Sequence, residues 1–410
     1  MRVSSMPWPH SPCDDEGRPR GGGEEMAVHL LRFPVQIVFG EGSLEEIRSF
    51  IRSFGKHALV VTGDGPTASM PVVDTLRGIL TREGISVSLF SEVKSDPDVE
   101  TVERGVTKAR EEGCDFVIGF GGGSPMDAAK VIAARLNNEG DIASWEGVGR
   151  VPGRAKPLVC IPTTSGTGSE VTWVAVISGG KRGQKMSIVS QYLYPVLAIV
   201  DPCLTYTMPP ELTAATGMDA LTHAVESHVS RRAWEPTRAF SLKAAGLASA
   251  YLERACQDGS DTEARHCMSL ASLLAGMAFT ASGLGLAHAL SHALGARFGI
   301  PHGVANAVLL PHVMRFNLPA APEAYRELAA AMGMEISGLS SLRAAEKAVE
   351  AVEGLLAALP LPRNLGDLGV PASSVESLAA EAFLNTRMRS SNPRETVLED
   401  LIGILREALG

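Results

Sequence analysis

At 410 residues the chain is too long for one ordinary core, and its 45% hydrophobic and 20% charged content suits a globular protein of two domains. A formal net charge of −9, with no basic stripe interleaved with aromatics, excludes a nucleic-acid surface, because a phosphate backbone calls for a Lys/Arg surplus. Six cysteines without a CxxC pair argue against a disulfide framework or a thiolate zinc site and for a reducing, cytoplasmic setting; no apolar run reaches bilayer length.

Residues 1–25 mix Pro, Gly and charge and lack an apolar h-region, so they do not form a signal peptide. They read as a disordered tail or an over-extended start, with ordered sequence expected from Met26. From Phe33 to about Val200 short apolar runs alternate with helical stretches. HALVVT (57–62), SVSLF (86–90), CDFVIGF (114–120), PLVCIP (157–162) and VLAIV (196–200) read as strands, continuous in apolar character as buried parallel strands are. Helical periodicity fills 71–83, 99–112 and 125–136. This alternation predicts an α/β, doubly wound nucleotide-binding domain over 26–204, with ligands at the carboxyl ends of the strands. After Asp201-Pro202 the composition turns to Ala, Leu and Glu, which predicts an all-α domain over 205–410.

Two loops in the first half carry phosphate-binding chemistry. In FVIGFGGGSPMDAAK, Gly121, Gly122 and Gly123 follow a strand and let backbone amides approach a diphosphate without Cβ interference. Ser124 is suited to the N-cap and Pro125 to the first helical position. The pattern is neither GxGxxG nor a P-loop; taken alone it favours a phosphate site over a plain tight turn, which is the lesser alternative. IPTTSGTGSEVT (161–172) follows another strand and offers Thr163, Thr164, Ser165, Thr167 and Ser169 beside Gly166 and Gly168. Two such loops on neighbouring strands point to a polyphosphate ligand.

The second half carries metal-binding chemistry. GMDALTHAVE places Asp219 and His223 four apart, on one face of a helix. GLAHALSHALG places His288 and His292 four apart, and IPHGVAN adds His302. Imidazoles with a carboxylate suit a borderline divalent ion such as Fe²⁺ or Zn²⁺. His29, His57, His228, His266 and His312 are read as satisfied core or surface histidines.

Taken together, GGGSPMDAAK, PTTSGTGSEVT, GMDALTHAVE and HALSHALGARFGIPHGVAN resemble, in order and separation, the iron-containing (group III) alcohol dehydrogenase family. The resemblance runs from residue 33 to residue 405. It implies Asp219, His223, His288 and His302 as ligands of one divalent cation, Fe²⁺ or Zn²⁺. It also implies contacts to NADP or NAD from Gly122, Gly123, Ser124, Thr163, Thr164 and Thr167, with Lys185 near the nicotinamide ribose. His292 is expected beside the substrate, relaying the alcohol proton. Gly63, at the turn expected to meet the adenosine ribose, replaces the carboxylate that NAD-preferring relatives tend to carry there. NADP(H) is therefore the expected preference, with NAD(H) accepted and Asp64 as the competing carboxylate. The implied reaction is reversible hydride transfer between an alcohol or aldehyde and the nicotinamide, in a homodimer or larger homo-oligomer with no membrane partner. A maleylacetate reductase, a lyase of the dehydroquinate synthase type and a non-catalytic nucleotide-binding module are the alternatives. A full set of four ligands and few Lys/Arg around 219–302 weigh against all three.

Overall fold

The computed structural model describes residues 29–65, 71–179 and 185–410, so the expected tail over 1–25 and the start at Met26 lie outside the described residues. The strands in chain order are β1 (Gln36–Phe39), β2 (His57–Gly63), β3 (Ser86–Val93), β4 (Phe116–Gly121), β5 (Gly147–Val148), β6 (Leu158–Pro162), β7 (Val174–Ser178), β8 (Lys185–Val189) and β9 (Leu197–Val200). Six of them form a sheet in the order β1-β9-β6-β4-β2-β3, and every neighbouring pair is parallel. Parallel neighbours need crossovers, and helices α1 (Arg48–Ile51), α2 (Pro71–Arg82), α3 (Val99–Glu111) and α4 (Gly123–Asn137) lie between the early strands. Successive side chains of a strand point to opposite faces, and β2 shows both faces covered. Ala58 and Val60 share a core with Val73, Leu76 and Leu80 of α2, whereas Leu59 and Val61 share one with Val102 of α3 and Val131 of α4. The winding direction reverses between β2 and β4. Their carboxyl ends, at Gly63 and Gly121, flank the crevice that open α/β sheets use for ligands.

The second sheet, β5-β8-β7, escapes a reading of apolar runs. VAVIS and KMSIV are five residues each, and burial along them alternates instead of running continuously, as suits an antiparallel pair with one covered face. The pair carries Lys185 to the edge of the crevice.

Beyond Pro210 the chain is helical: α5 (Pro210–Val229), α6 (Glu235–Gln257), α7 (Thr262–Ser282), α8 (Leu286–Phe298), α9 (His302–Asn317), α10 (Pro322–Ala331), α11 (Ser341–Ala358), α12 (Val375–Phe383), α13 (Thr386–Ser391) and α14 (Leu398–Ala408). Helix α5 is buried along nearly all of its length, with Met218, Leu221 and Val225 in a core shared with α6, α7, α10 and α11. A second core joins α8, α9, α12 and α14. Where α9 begins, Gly303 lies against the α5 backbone, and a Cβ there would stand 2.2 Å from the carbonyl oxygen of Ala215. That approach, open only to glycine, brings His302 to the helix that carries Asp219. Residues Arg32–Gly410 form one contact unit. Among the described residues no single helix is long and apolar enough to cross a membrane.

Candidate metal centre and cofactor cleft

Asp219 and His223 stand one turn apart on α5, His288 lies in the first turn of α8, and His302 opens α9. All four converge. From Asp219 Oδ1 the distances are 3.9 Å to His223 Nε2, 3.7 Å to His288 Nε2 and 3.7 Å to His302 Nε2. Ligand atoms about 2.0–2.2 Å from a tetrahedral cation stand about 3.3–3.6 Å from one another, so the donor set is a few tenths of an ångström wider than a loaded site. The atoms of Asp219, His288 and His302 all lie within 4.8 Å of one another. Asn306, one turn after His302, answers this ring of lone pairs. Its amide nitrogen is 2.7 Å from Asp219 Oδ1 and 3.2 Å from both His288 Nε2 and His302 Nε2, while its buried Oδ1 has no partner among the described residues. A cation at the centre would satisfy the same lone pairs and release the amide, so the residues present fit a divalent ion.

Each imidazole is oriented from its other nitrogen. His288 Nδ1 donates to Glu226 Oε2 at 2.7 Å, and the same buried carboxylate accepts the backbone N–H groups of Gly285 (2.8 Å) and Ala287 (2.7 Å). His223 Nδ1 is 3.2 Å from the carbonyl oxygen of Gly166, and the His223 ring stacks on Phe279. His302 Nδ1 is 3.2 Å from Ser291 Oγ. Such outer partners fix which nitrogen faces a metal. Burial alone would raise the Asp219 carboxyl, but the imidazoles of His223, His302 and His288 hold it far below the usual carboxylate range. Burial lowers His223 to about 3 and His302 to about 4. Burial also opposes charge on His288, yet Glu226 and Asp219 outweigh it and raise that imidazole to about 9. A divalent cation competes with that proton for the Nε2 lone pair. Glu226 was legible in principle. It completes an i, i+4, i+7 stripe with Asp219 and His223 inside GMDALTHAVE.

The two loops meet at the carboxyl ends of β4 and β6, where Thr163 N–H donates to the Gly121 carbonyl at 2.9 Å. Helix α4 starts at Gly123 with Gly122 as its N-cap, ahead of the expected Ser124 cap and Pro125 first position. Ser124 Oγ instead accepts from the Asp96 N–H at 3.3 Å, and no side chain caps α4. The N–H groups of its first turn therefore stay available to an anion. A Cβ at Gly123 would stand 2.9 Å from the Thr167 methyl group, so the loops are stacked as tightly as glycine permits. Next to them, Thr164 Oγ1 is buried without a partner among the described residues. Fully buried Lys130 donates to Ser169 Oγ, Thr172 Oγ1 and the Val174 carbonyl, and Asp127 accepts from Ser169 Oγ and Val176 N–H. Those two residues of α4 rivet the second loop and the small sheet to the first loop.

A cavity of about 220 Å³ unites both halves; Gly123, Ser124 and Thr167 line it together with Lys185, His292 and the four converging side chains Asp219, His223, His288 and His302. Lys185 is ion-paired with Asp96, a residue held at a left-handed φ of 57°. His292, one turn beyond His288, has its ring centroid 5.3 Å from that of His302 and makes no protein hydrogen bond among the described residues. Burial, helped by His302, His288 and Lys185, drives its basicity well below that of a free histidine. Gly63, Gly122, Thr163 and Thr164 do not line this cavity. Gly63 ends β2, where the nearest atoms to an added Cβ are the Val93 carbonyl oxygen at 3.5 Å and Pro125 Cγ at 3.8 Å. Elsewhere, His57 bonds Ser88, His228 bonds Ser241 and Glu327, His266 packs edge-on against Phe39, and His312 faces Glu407.

Glu170, at the base of the second loop, is buried, and burial pushes its carboxyl up to about 7. In the unfolded chain it titrates near 4.3. A raised folded value means that its contribution to stability is complete below about pH 4.3 and is lost as pH rises toward 7. We expect Glu170→Gln to be more stable than wild type at pH 8 by about 1–3 kcal/mol relative to the same comparison at pH 4. Urea unfolding at the two values measures it, and a pH-independent difference would mean that the carboxylate is compensated in the fold.

Comparison with known proteins bears on both halves. The sequence profile described as iron-containing alcohol dehydrogenase matches residues 34–202, and that of the Fe-containing alcohol dehydrogenase family, C-terminal, matches residues 213–409. The chain is 42% identical over 355 residues to the 1,3-propanediol dehydrogenase of Klebsiella pneumoniae, covering 86% of this chain and 92% of the relative. It is 38% identical over 377 residues to the NAD-dependent methanol dehydrogenase of Bacillus methanolicus, covering 92% and 98%. Among solved structures, a 1,3-propanediol oxidoreductase superposes with a TM-score of 0.91 at 39% identity, over 93% of this chain and all of the other.

Proposed function

We propose a division of labour within this chain, which belongs to the iron-containing alcohol dehydrogenase family and is an oxidoreductase of alcohols and nicotinamide cofactors. In this reading residues 26–204 hold the dinucleotide and residues 205–410 hold the metal and the substrate. The observation that carries it is the convergence of three imidazole nitrogens on Asp219 Oδ1, inside the cavity that the Gly123 and Thr167 loops also line.

When bound, the cation supplies Lewis acidity that lowers the pKa of an alcohol hydroxyl, and the nicotinamide carries the hydride. The chain's own residues do the rest. The first-turn N–H groups of α4, with Ser124, Thr163, Thr164 and Thr167, bind the diphosphate. Lys185, held by Asp96, positions the nicotinamide ribose. Asp219, His223, His288 and His302 fix the cation, with Glu226 orienting His288. Phe279 and Leu284 close the cavity with apolar surface and keep water away from the reacting atoms. His292 moves the proton released from the alcohol. A homodimer or larger homo-oligomer in the cytoplasm completes the proposal.

The direct test is a screen of the metal-reconstituted protein against C2–C6 alcohols, diols and aldehydes with both cofactors. Turnover that vanishes on chelation and returns with ferrous or zinc ion supports the proposal. Full activity in a demonstrably metal-free sample defeats it.

Cofactor preference follows from Gly63. The space around it admits a carboxylate, and its absence removes the repulsion that would meet a 2′-phosphate. Asp64, the competing carboxylate, is exposed. We expect the wild type to accept both cofactors with NADP(H) favoured, and Gly63→Asp to shift the ratio of kcat/KM values at least tenfold toward NAD(H). A wild type that favours NAD by tenfold, or a ratio indifferent to the substitution, would contradict this.

A further inference from the structure

Arg387, on α13, occupies an unusual place among the described residues. With Met388 it lines the metal-centre cavity of about 220 Å³, a second of about 380 Å³ that His292 also lines, and a third of about 150 Å³ that Phe279 also lines. Its guanidinium has no hydrogen-bond or ion-pair partner among the described residues. Its neighbours on the same stretch do not share that condition. Arg389 donates to the carbonyl oxygens of Phe383 and Thr396 and lies over the Phe383 ring, and Arg394 donates to the Phe316 carbonyl and lies over that ring. Arg387 is half-buried; that burial lowers its pKa, and the charge of Arg232, which borders the third cavity, adds to the effect. The cationic neighbour Lys185 spends its charge on Asp96. Glu146 and Glu381, in the larger cavity, come within ion-pair distance of neither Arg387 nor Arg232.

A guanidinium always carries its charge, presents a planar fork of donors and is costly to bury unpaired. Its natural complement is an oxyanion, held by two parallel N–H···O bonds. We propose that Arg387 is a specificity determinant that receives an anionic group at the far end of the substrate. The favoured substrates are then short alcohols and aldehydes bearing a carboxylate or sulfonate, rather than neutral alkanols. This rests on the function proposed above, because it assumes that the reacting carbon faces the metal centre. The oxyanion then lies against Arg387, and the apolar wall of Phe279, Leu284 and Met388 packs the chain between.

The test compares matched pairs on the metal-loaded enzyme with cofactor: ω-oxo carboxylates and ω-oxo sulfonates of two to six carbons against neutral aldehydes of equal length. We expect at least one anionic aldehyde to exceed its neutral match tenfold or more in kcat/KM, mostly through KM. In Arg387→Leu that ratio should fall at least tenfold, and Arg387→Lys should restore part of it. A second readout needs no turnover. Unreactive dicarboxylates titrated calorimetrically into the cofactor-loaded protein should bind the wild type and lose at least tenfold in affinity with Arg387→Leu. If Arg387→Leu does not fold, Arg387→Gln, which keeps the stem, carries the same expectations. Preference for the neutral partner, or a ratio and a dicarboxylate affinity unmoved by substitution, overturns the proposal while the alcohol dehydrogenase reading stands. Failure of every alcohol and aldehyde to react overturns that reading instead, and dicarboxylate binding still decides the role of Arg387.

Discussion

His302→Ala is expected to leave a folded protein that retains no stoichiometric divalent cation after dialysis and has lost more than about 100-fold in turnover. The bound follows from a hierarchy. Removing a partner that merely orients a ligand costs roughly 10–100-fold in metal affinity or activity, so removing the ligand itself costs more. His302 is the right position because its side chain is 31% exposed and opens α9 at the cavity edge, so truncation removes little packing. His288 is almost wholly buried, and its loss would also leave Glu226 without one of its three donors. Glu226→Gln should fall between these extremes. Its amide keeps the size of the carboxylate but confronts two backbone N–H groups and an imidazole N–H with donors of its own, so metal affinity drops about 10–100-fold while the helices stay in place. Elemental analysis with a chelator titration, run beside thermal melts, separates the three cases. Full metal content in His302→Ala would remove that residue from the ligand set.

Five of the six strands of the large sheet, and the side chains that converge on Asp219, are readable in the sequence because each is written locally; the four-residue edge strand β1 is not. Parallel strands buried on both faces are continuous apolar runs, and Asp219-x₃-His223 and His288-x₃-His292 place side chains on one helical face. What stayed hidden depends on distance along the chain. Gly303 matters because Ala215 is pressed against it, and Asn306 because three acceptor atoms from α5, α8 and α9 surround its amide nitrogen. Arg387 sits in a six-residue helix with no motif, and what singles it out is a guanidinium without a partner among the described residues at the meeting of three cavities that Met388 also lines. The α4 cap failed for a different reason. Ser124 has the right chemistry for a cap, but its hydroxyl is engaged by Asp96 from the loop after β3, a contact between residues 28 apart. The small sheet is missed because β5 is only two residues long and β8 carries no continuous apolar run, which leaves β7 without a partner to read.

His292→Ala is expected to keep its full complement of metal and lose about 100-fold or more in kcat, within the range that a positioned proton-transfer group contributes. Three observations bear on this. The ring lines both the metal-centre cavity and the larger cavity that also holds Arg387, so it borders both spaces. It makes no hydrogen bond to the protein among the described residues, unlike His223, His288 and His302, whose rings are each fixed by a partner. Burial and the surrounding positive groups keep it neutral, so one nitrogen offers a lone pair to the departing proton while the other can pass a proton outward. A neutral ring of low basicity makes a poor resting place for a proton and a serviceable relay. If transfer is its role, His292→Ala should show a kcat loss larger than any change in KM, and added imidazole should restore part of the rate through the enlarged cavity. Loss of the metal would make His292 a fifth ligand, and unchanged turnover would reduce it to packing. His292→Asn divides the remaining cases. It keeps a hydrogen-bonding group at the same place but cannot exchange a proton near neutral pH, so it should be as slow as the alanine variant if relay is what matters.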